Sequence, residues 1–297
     1  MNLDKKKLIL IYSLFVFLLS LSSMVIAREY LIPKYYQVQV NGNIAGDPDL
    51  YRQLAIAKTR EIEEFGLSAF EMRPEGQGPA GIASLLFLIS KNSYLFVLLN
   101  AFLLAGATTF MVLLLNIWFD VWISILATLP LAISPYMFHW FSQLNKDSFV
   151  LTGEIMIVFA ITILVLELLK KINLPKLIGY TIIASVGTWL VAIPRPYVNQ
   201  INLVFIAPFL LSVLFFCLLR QTGKIQLIQF FISSGIIISV LLFNSSGGAS
   251  NVTLNNFYNQ DPKIFMARIH KEFKPGVALD CFSQFSEWEK ASWMHTY

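Results

Sequence analysis

The feature that most constrains this chain is a series of long apolar runs parted by short segments rich in lysine and arginine. A helix needs roughly 20 apolar residues to cross a hydrocarbon layer about 30 Å thick. Seven stretches match that length: 8–27, 94–118, 121–141, 148–169, 177–193, 201–219 and 225–243. None shows the period-2 alternation of a membrane barrel. Charge agrees with length: only 13% of the residues are charged and 56% are hydrophobic, against about 25% charged in a soluble domain. The chain therefore reads as an all-α, polytopic helical membrane protein with about seven transmembrane helices in residues 1–243, followed by a polar tail, 244–297.

The cations give this layout a direction. Lys5, Lys6 and Lys7 precede the first span, Lys170, Lys171 and Lys176 share one short loop, and Arg220 and Lys224 share another. Short loops rich in Lys and Arg stay cytoplasmic. Seven spans with the N-terminus inside put all three segments on one side, as expected for a plasma (inner) membrane protein. The segments 28–79, 142–147, 194–200 and the tail then face outward. The first run ends in VIA, which also fits a signal-peptide cleavage site, but it is about twice as long as most signal cores and reads as a span. A net charge of +4 with no pooled basic patch gives no reason to expect nucleic acid as a partner. Cys217 and Cys281 fall in different environments, so no disulfide framework is implied.

The first outer loop, 28–79, is the longest polar interval between spans. Its GDPDLY element is a turn followed by a helix start, with Asp47 or Asp49 as cap. From about 50 to 65 apolar residues (Leu54, Ala57, Ile62, Phe65) recur near helical spacing, predicting an amphipathic helix on the membrane surface. EMRPEGQGPAG follows, then the short apolar piece 80–90, too short to span and read as interfacial or re-entrant. Pro74 and Pro79 stiffen the stretch, and Gly76, Gly78 and Gly81 permit close backbone approach. With Arg73, Glu75 and Gln77 it reads as a shaped polar lip over a membrane-embedded cavity.

Ionisable groups in or against a membrane are costly, which makes them candidates for function. Asp47 and Asp49 suit a general base toward a hydroxyl, or equally a helix cap. Asn145, Lys146 and Asp147 lie between two spans, and Glu154 follows seven residues on, on the same helical face as Asp147. Arg195, between the prolines of IPRPYVNQ and beside Tyr197, offers a planar fork suited to phosphate oxygens, or an interfacial anchor. His139, His270 and His295 are isolated, so no metal spacing is present, and the residues neither require nor exclude a divalent metal. There is no nucleotide-binding loop and no voltage-sensor pattern.

Asp47 and Tyr51 in GDPDLY, the proline-rich RPEGQGPAG before the next apolar piece, and the serine-proline turn and acidic loop of SPYMFHWFSQLNKDSF together resemble the GT-C superfamily of polytopic glycosyltransferases. That superfamily includes the protein O-mannosyltransferase and aminoarabinose transferase families. The resemblance covers roughly residues 8–200 and lies in layout and scattered residues; GQGPAG stands where the better-known families carry P-P-x-Y, and the span count is lower. It implies a polyprenyl-phosphate sugar as donor, no certain cofactor, and a glycan, lipid or protein acceptor outside the cytoplasm. It also implies that Asp47, with Asp49 second, is the base, that Lys146 and Arg195 steady the leaving phosphate, and that Arg73, Glu75 and Gln77 line the sugar or acceptor side. Envelope polysaccharide assembly without such a base (a polymerase or flippase component) is the main alternative. A scaffold subunit docking through 50–65 is another, and the lack of an internal repeat argues against a transporter.

Overall fold

The structure, a computed structural model, describes residues 3–35, 38–39, 43–44, 47–168, 174–219 and 224–246. Among these, six helices are long and apolar enough to cross a membrane, and a bent pair of helices brings the number to seven if the pair is one span and not a re-entrant loop. The chain is an all-α polytopic membrane protein. Of the expected tail, only residues 244–246 are described, at the end of the last helix.

α1 (Leu3–Ile26) runs on without a break through a π-helical turn (Ala27–Leu31) into α2 (Ile32–Tyr35). The first long loop thus starts some eight residues later than residue 28, the position expected from hydropathy. The reason is visible at Arg28, which the π turn rotates inward until it is 4% exposed, its guanidinium donating to the Ser142 carbonyl at 2.9 Å. A satisfied arginine does not end a helix. β1 (Val38–Gln39) and β2 (Asn43–Ile44) then form a two-residue antiparallel ladder.

α3 (Asp47–Phe65) covers the helix expected over 50–65, but its apolar seam matches the expected one only at Leu54 and Ile62. Tyr51, Ala55, Thr59 and Ile62 are buried, at the three- and four-residue spacing of one helical face, whereas Ala57 and Phe65 are exposed. The buried face packs on α4 (Gly78–Ile89), joining Ala80, Ala83 and Phe87 in one cluster. α3 is therefore a helix seated on protein along this face. α4 itself has 12 residues, a rise of about 18 Å, short of a span as expected.

α5 (Tyr94–Leu115) packs between α1 and α8 (Asp147–Leu168). Between them α6 (Val121–Ala132) and α7 (Pro135–Phe141) make the bent pair, turning by 56°. Ser134 caps α7 and Pro135 opens it, a combination that ends one helix and starts another. α9 (Leu174–Ala192), α10 (Pro196–Leu219) and α11 (Lys224–Ser246) complete the bundle, with α9 touching α8, α10 and α11. α8 and α9 approach through Gly153 and Gly187, where a Cβ on either would lie 2.5 or 2.7 Å from the other's carbonyl oxygen.

Candidate functional site

The non-helical link between α7 and α8, residues 142–146, has to satisfy its backbone within the protein, because residues 142–145 are buried away from water. Two side chains from spans do this. Asn100 of α5, fully buried, donates to the carbonyls of Phe141 (2.7 Å) and Gln143 (2.9 Å) and accepts from the Ser148 hydroxyl (2.7 Å). Arg28, in the π-helical turn after α1, holds Ser142. Asn145, buried, then caps α8: its side-chain oxygen accepts from the amides of Lys146 (2.6 Å) and Asp147 (3.3 Å). So braced, the link aims Lys146 and Asp147 in different directions.

Lys146 reaches α3. Its ammonium donates to the Asp47 carboxylate at 2.9 Å and to the Tyr51 hydroxyl at 3.0 Å, while Tyr51 in turn donates to Asp47 at 3.0 Å. The four-residue spacing of Asp47 and Tyr51 puts both on one face of α3, which is what lets a single ammonium bind both. Asp147 instead accepts from the Arg195 guanidinium at 2.8 Å. Arg195 is held by the break between α9 and α10, with Pro196 opening α10.

These groups open onto one cavity of about 310 Å³, lined by Asp47, Trp140, Asn145, Lys146, Asp147 and Arg195 together with Pro48. Two carboxylates face two cations, so the lining is charge-balanced. Burial pushes the Asp47 carboxyl up, but Lys146, followed by Tyr51 and Arg195, outweighs it and holds the group below the ordinary carboxylate range. Burial likewise lowers the Lys146 ammonium, and its bonds to Tyr51 and Asp47 more than restore it, leaving it above the usual lysine value. For the Tyr51 hydroxyl burial wins, and its pKa is raised. The network holds Asp47 ionised and Lys146 charged across the neutral range. Such a site can receive an anion only by partner exchange: the incoming charge takes Lys146 or Arg195 and releases a carboxylate.

The other expected site residues lie elsewhere. Asp49 accepts from Gln53 at 2.8 Å on the exposed side of α3. Glu154 accepts from Asn202 of α10 at 2.7 Å, inside the helix bundle. Tyr197 is exposed in the first turn of α10. Neither Asp49, Glu154 nor Tyr197 lines the cavity. The expected polar lip also differs: Arg73, Glu75 and Gln77 are not among the lining residues either. Arg73 instead donates to the Gly76 carbonyl at 2.9 Å, closing a tight turn in which Glu75 (φ 51°) and Gly76 (φ 80°) are left-handed.

The glycines explain the stretch. A Cβ on Gly78 would lie 2.0 Å from the Ile193 carbonyl oxygen, and one on Gly81 equally close to that of Met72. EMRPEGQGPAG is thus the bearing against which the α9–α10 break, and with it Arg195, is seated. Sequence reasoning passed over Trp140, Arg28 and Asn100; an asparagine inside the apolar run 94–118 was the signal that could have found the last. Among the described residues no group of three or more His, Cys, Asp or Glu side chains could hold a metal ion. No family model matches the chain, and no curated protein or solved structure is significantly similar to it.

Proposed function

We propose that this chain is an integral-membrane glycosyltransferase that moves a sugar from a polyprenyl-phosphate donor to an acceptor hydroxyl outside the cytoplasm, at the cavity between α3, α8 and the α9–α10 break. The observation that carries this reading is the convergence of Asp47, Lys146, Asp147 and Arg195 on one cavity. A carboxylate and two cations that can be freed by partner exchange are what inverting sugar transfer from a phosphate requires.

The donor phosphate takes Lys146 and Arg195 from their carboxylates. Asp47, no longer held by Lys146, regains basicity and accepts the proton of the acceptor hydroxyl. That oxygen attacks the anomeric carbon, the bond from that carbon to the phosphate oxygen breaks, and its electron pair leaves with the polyprenyl phosphate, steadied by the two cations. An apolar groove of about 490 Å³ between α9 and α11, running from Leu177 to Trp189, offers a lipid tail a place beside the helix that leads to Arg195. The charge rule supports a cytoplasmic N-terminus and an outward cavity. Lys5 pairs with Asp120 just before α6, and Lys176 of α9 lies 3.8 Å from Glu167 near the end of α8, whereas the site is at the start of α8.

The test is release of free polyprenyl phosphate from a panel of polyprenyl-phosphate sugars by the full chain in liposomes. Asp47→Asn is expected to abolish release with donor binding retained, and Lys146→Gln or Arg195→Gln to weaken donor binding. Asp49→Asn is expected to behave as wild type. Release by Asp47→Asn at the wild-type rate overturns the base assignment. Donor binding unchanged in both cation variants overturns the cavity assignment and returns the reading to an assembly or scaffold protein.

A further inference from the structure

A second cavity, about 220 Å³, lies between α3 and the end of α4, and shares no lining residue with the first. Arg52, Ile56, Arg60 and Glu63 form one stripe along α3, facing Phe87 and Lys91. Lys91 pairs with Glu63 at 3.4 Å. Among the described residues neither Arg52 nor Arg60 has a carboxylate partner, so the cavity carries three cations against one anion.

The imbalance is local. Lys58, on another face of the same helix, is held by both Glu61 (2.7 Å) and Glu71 (3.4 Å). Acidic residues are thus plentiful around α3, yet none but Glu63 faces this cavity. Arg52 is half-buried and also lies within electrostatic reach of the buried Arg28, whose like charge repels it.

The surroundings say what kind of anion. The floor is apolar, through Ile56 and Phe87, and the exposed Leu88 (38%) and Ile89 (78%) follow Phe87 in the last turn of α4. α5 starts three residues after Lys91, so the cavity sits at the level where a span enters the membrane. Its volume is below the roughly 300–1,000 Å³ of a pocket that encloses a whole drug-sized ligand. It accommodates a headgroup and leaves chains outside, along Leu88 and Ile89. We propose that this is a binding site for the phosphate headgroup of an anionic membrane lipid, held by Arg52, Arg60 and Lys91. The site needs no transfer chemistry and does not rest on the reading of the first cavity.

The full chain in detergent, titrated with phosphatidylglycerol and read by native mass spectrometry, tests this. Each basic residue at a membrane surface gives about a five-fold preference for anionic lipid, so Arg52→Gln with Arg60→Gln is expected to weaken retention about thirty-fold. Glu63→Gln, which removes the one opposing charge without touching a cation, is expected to strengthen it and serves as the variant that keeps the fold. Phosphatidylcholine is expected to bind equally to all three proteins. Phosphatidylglycerol retained equally by wild type and both variants overturns the site. Displacement of the lipid by millimolar inorganic phosphate overturns the lipid as the source of the anion and leaves a soluble-phosphate site.

Discussion

Replacing Gly78 with alanine is expected to destabilise the fold and to loosen Arg195 from Asp147, while the same change at Gly179 is expected to stabilise it. A Cβ at Gly78 would lie 2.0 Å from the Ile193 carbonyl oxygen and 2.5 Å from its carbon. To reach the 3.4 Å of ordinary contact the two backbones have to part by about 1.4 Å, and no side chain can give way in their place. Overpacking of this kind costs about 1–3 kcal/mol, and a backbone obstacle puts Gly78→Ala at the upper end. At Gly179, inside α9, a Cβ meets nothing within 4 Å, so only helix propensity acts, a gain of up to about 1 kcal/mol. Equilibrium unfolding in mixed micelles measures both. The effect on the site is read by a double-mutant cycle on Arg195 and Asp147, whose partly exposed pair is worth about 0.5–1 kcal/mol. In the Gly78→Ala background that coupling should approach zero, since Ile193 is two residues from Arg195. Equal stability of the two alanine variants, or an unchanged coupling, would refute the bearing role given to this stretch.

Other outcomes follow from the same packing and charges. Asn100→Leu strands two carbonyls and the Ser148 hydroxyl, at about 0.6 kcal/mol per hydrogen bond inside a membrane, so a loss of about 2 kcal/mol is expected; Ser148→Ala should cost about a third as much, and equal losses in the two would contradict the bracing role. The Asp47 carboxyl is lowered, so its contribution is complete above the unfolded value of about 3.9 and is lost as pH falls through the folded value. Lys146 is raised, so its contribution is complete below about 10.4 and is lost as pH rises through the folded value. Between these limits the pair should give flat stability, and because the Asp47 side chain is 62% exposed its share is below about 1 kcal/mol. Asp47→Asn should flatten the acid limb of the unfolding curve, and an unaltered limb would rule the pair out as its source. At the α8–α9 crossing, Gly153→Ala and Gly187→Ala should each cost about 1–3 kcal/mol, and together less than their sum, because the first already opens the contact. Additive losses by unfolding would mean that the glycines do not share one crossing.

What was legible in the sequence was whatever depends on local chemistry. Apolar run length located the spans, and the 121–141 run is bent at Ser134–Pro135, the turn that sequence itself displays. The GDPDLY turn announced a helix start at Asp47, and the charges of the α7–α8 link announced a polar site. Partner choice was not legible. Lys146 meets Asp47 across 99 positions and Arg195 meets Asp147 across 48, distances set by how α3, α8 and α10 stack. The glycines of EMRPEGQGPAG signalled close approach correctly, but nothing local could say that the approaching atom is a protein carbonyl rather than a ligand. The seam of α3 was misread in part for a related reason: Ala57 and Phe65 are as apolar as the residues that are buried, and only the position of α4 selects Tyr51 and Ala55 beside the expected Ile62 and the partly buried Leu54.

Polar residues inside spans fall into two kinds here, and the difference can be measured. Arg28 and Asn100 are occupied by the backbone of the α7–α8 link, so the fold accounts for them. Glu154 is another case: its carboxyl takes one amide from Asn202 and closes no break in the backbone. A half-buried polar pair of this sort is often no better for stability than well-packed apolar residues of similar size, whereas removing one partner leaves the other unsatisfied. Glu154→Leu alone should therefore destabilise by about 1–3 kcal/mol through the stranded Asn202 amide. Glu154→Leu combined with Asn202→Leu should recover most of that loss, and Glu154→Gln, which still accepts from Asn202, should lose little. If the double leucine variant is as unstable as the single, the pair is structural, and its place in the bundle needs no further reason. If stability returns while release of polyprenyl phosphate falls, Glu154 is retained for the chemistry of the site above it, two helical turns along the face that begins at Asp147.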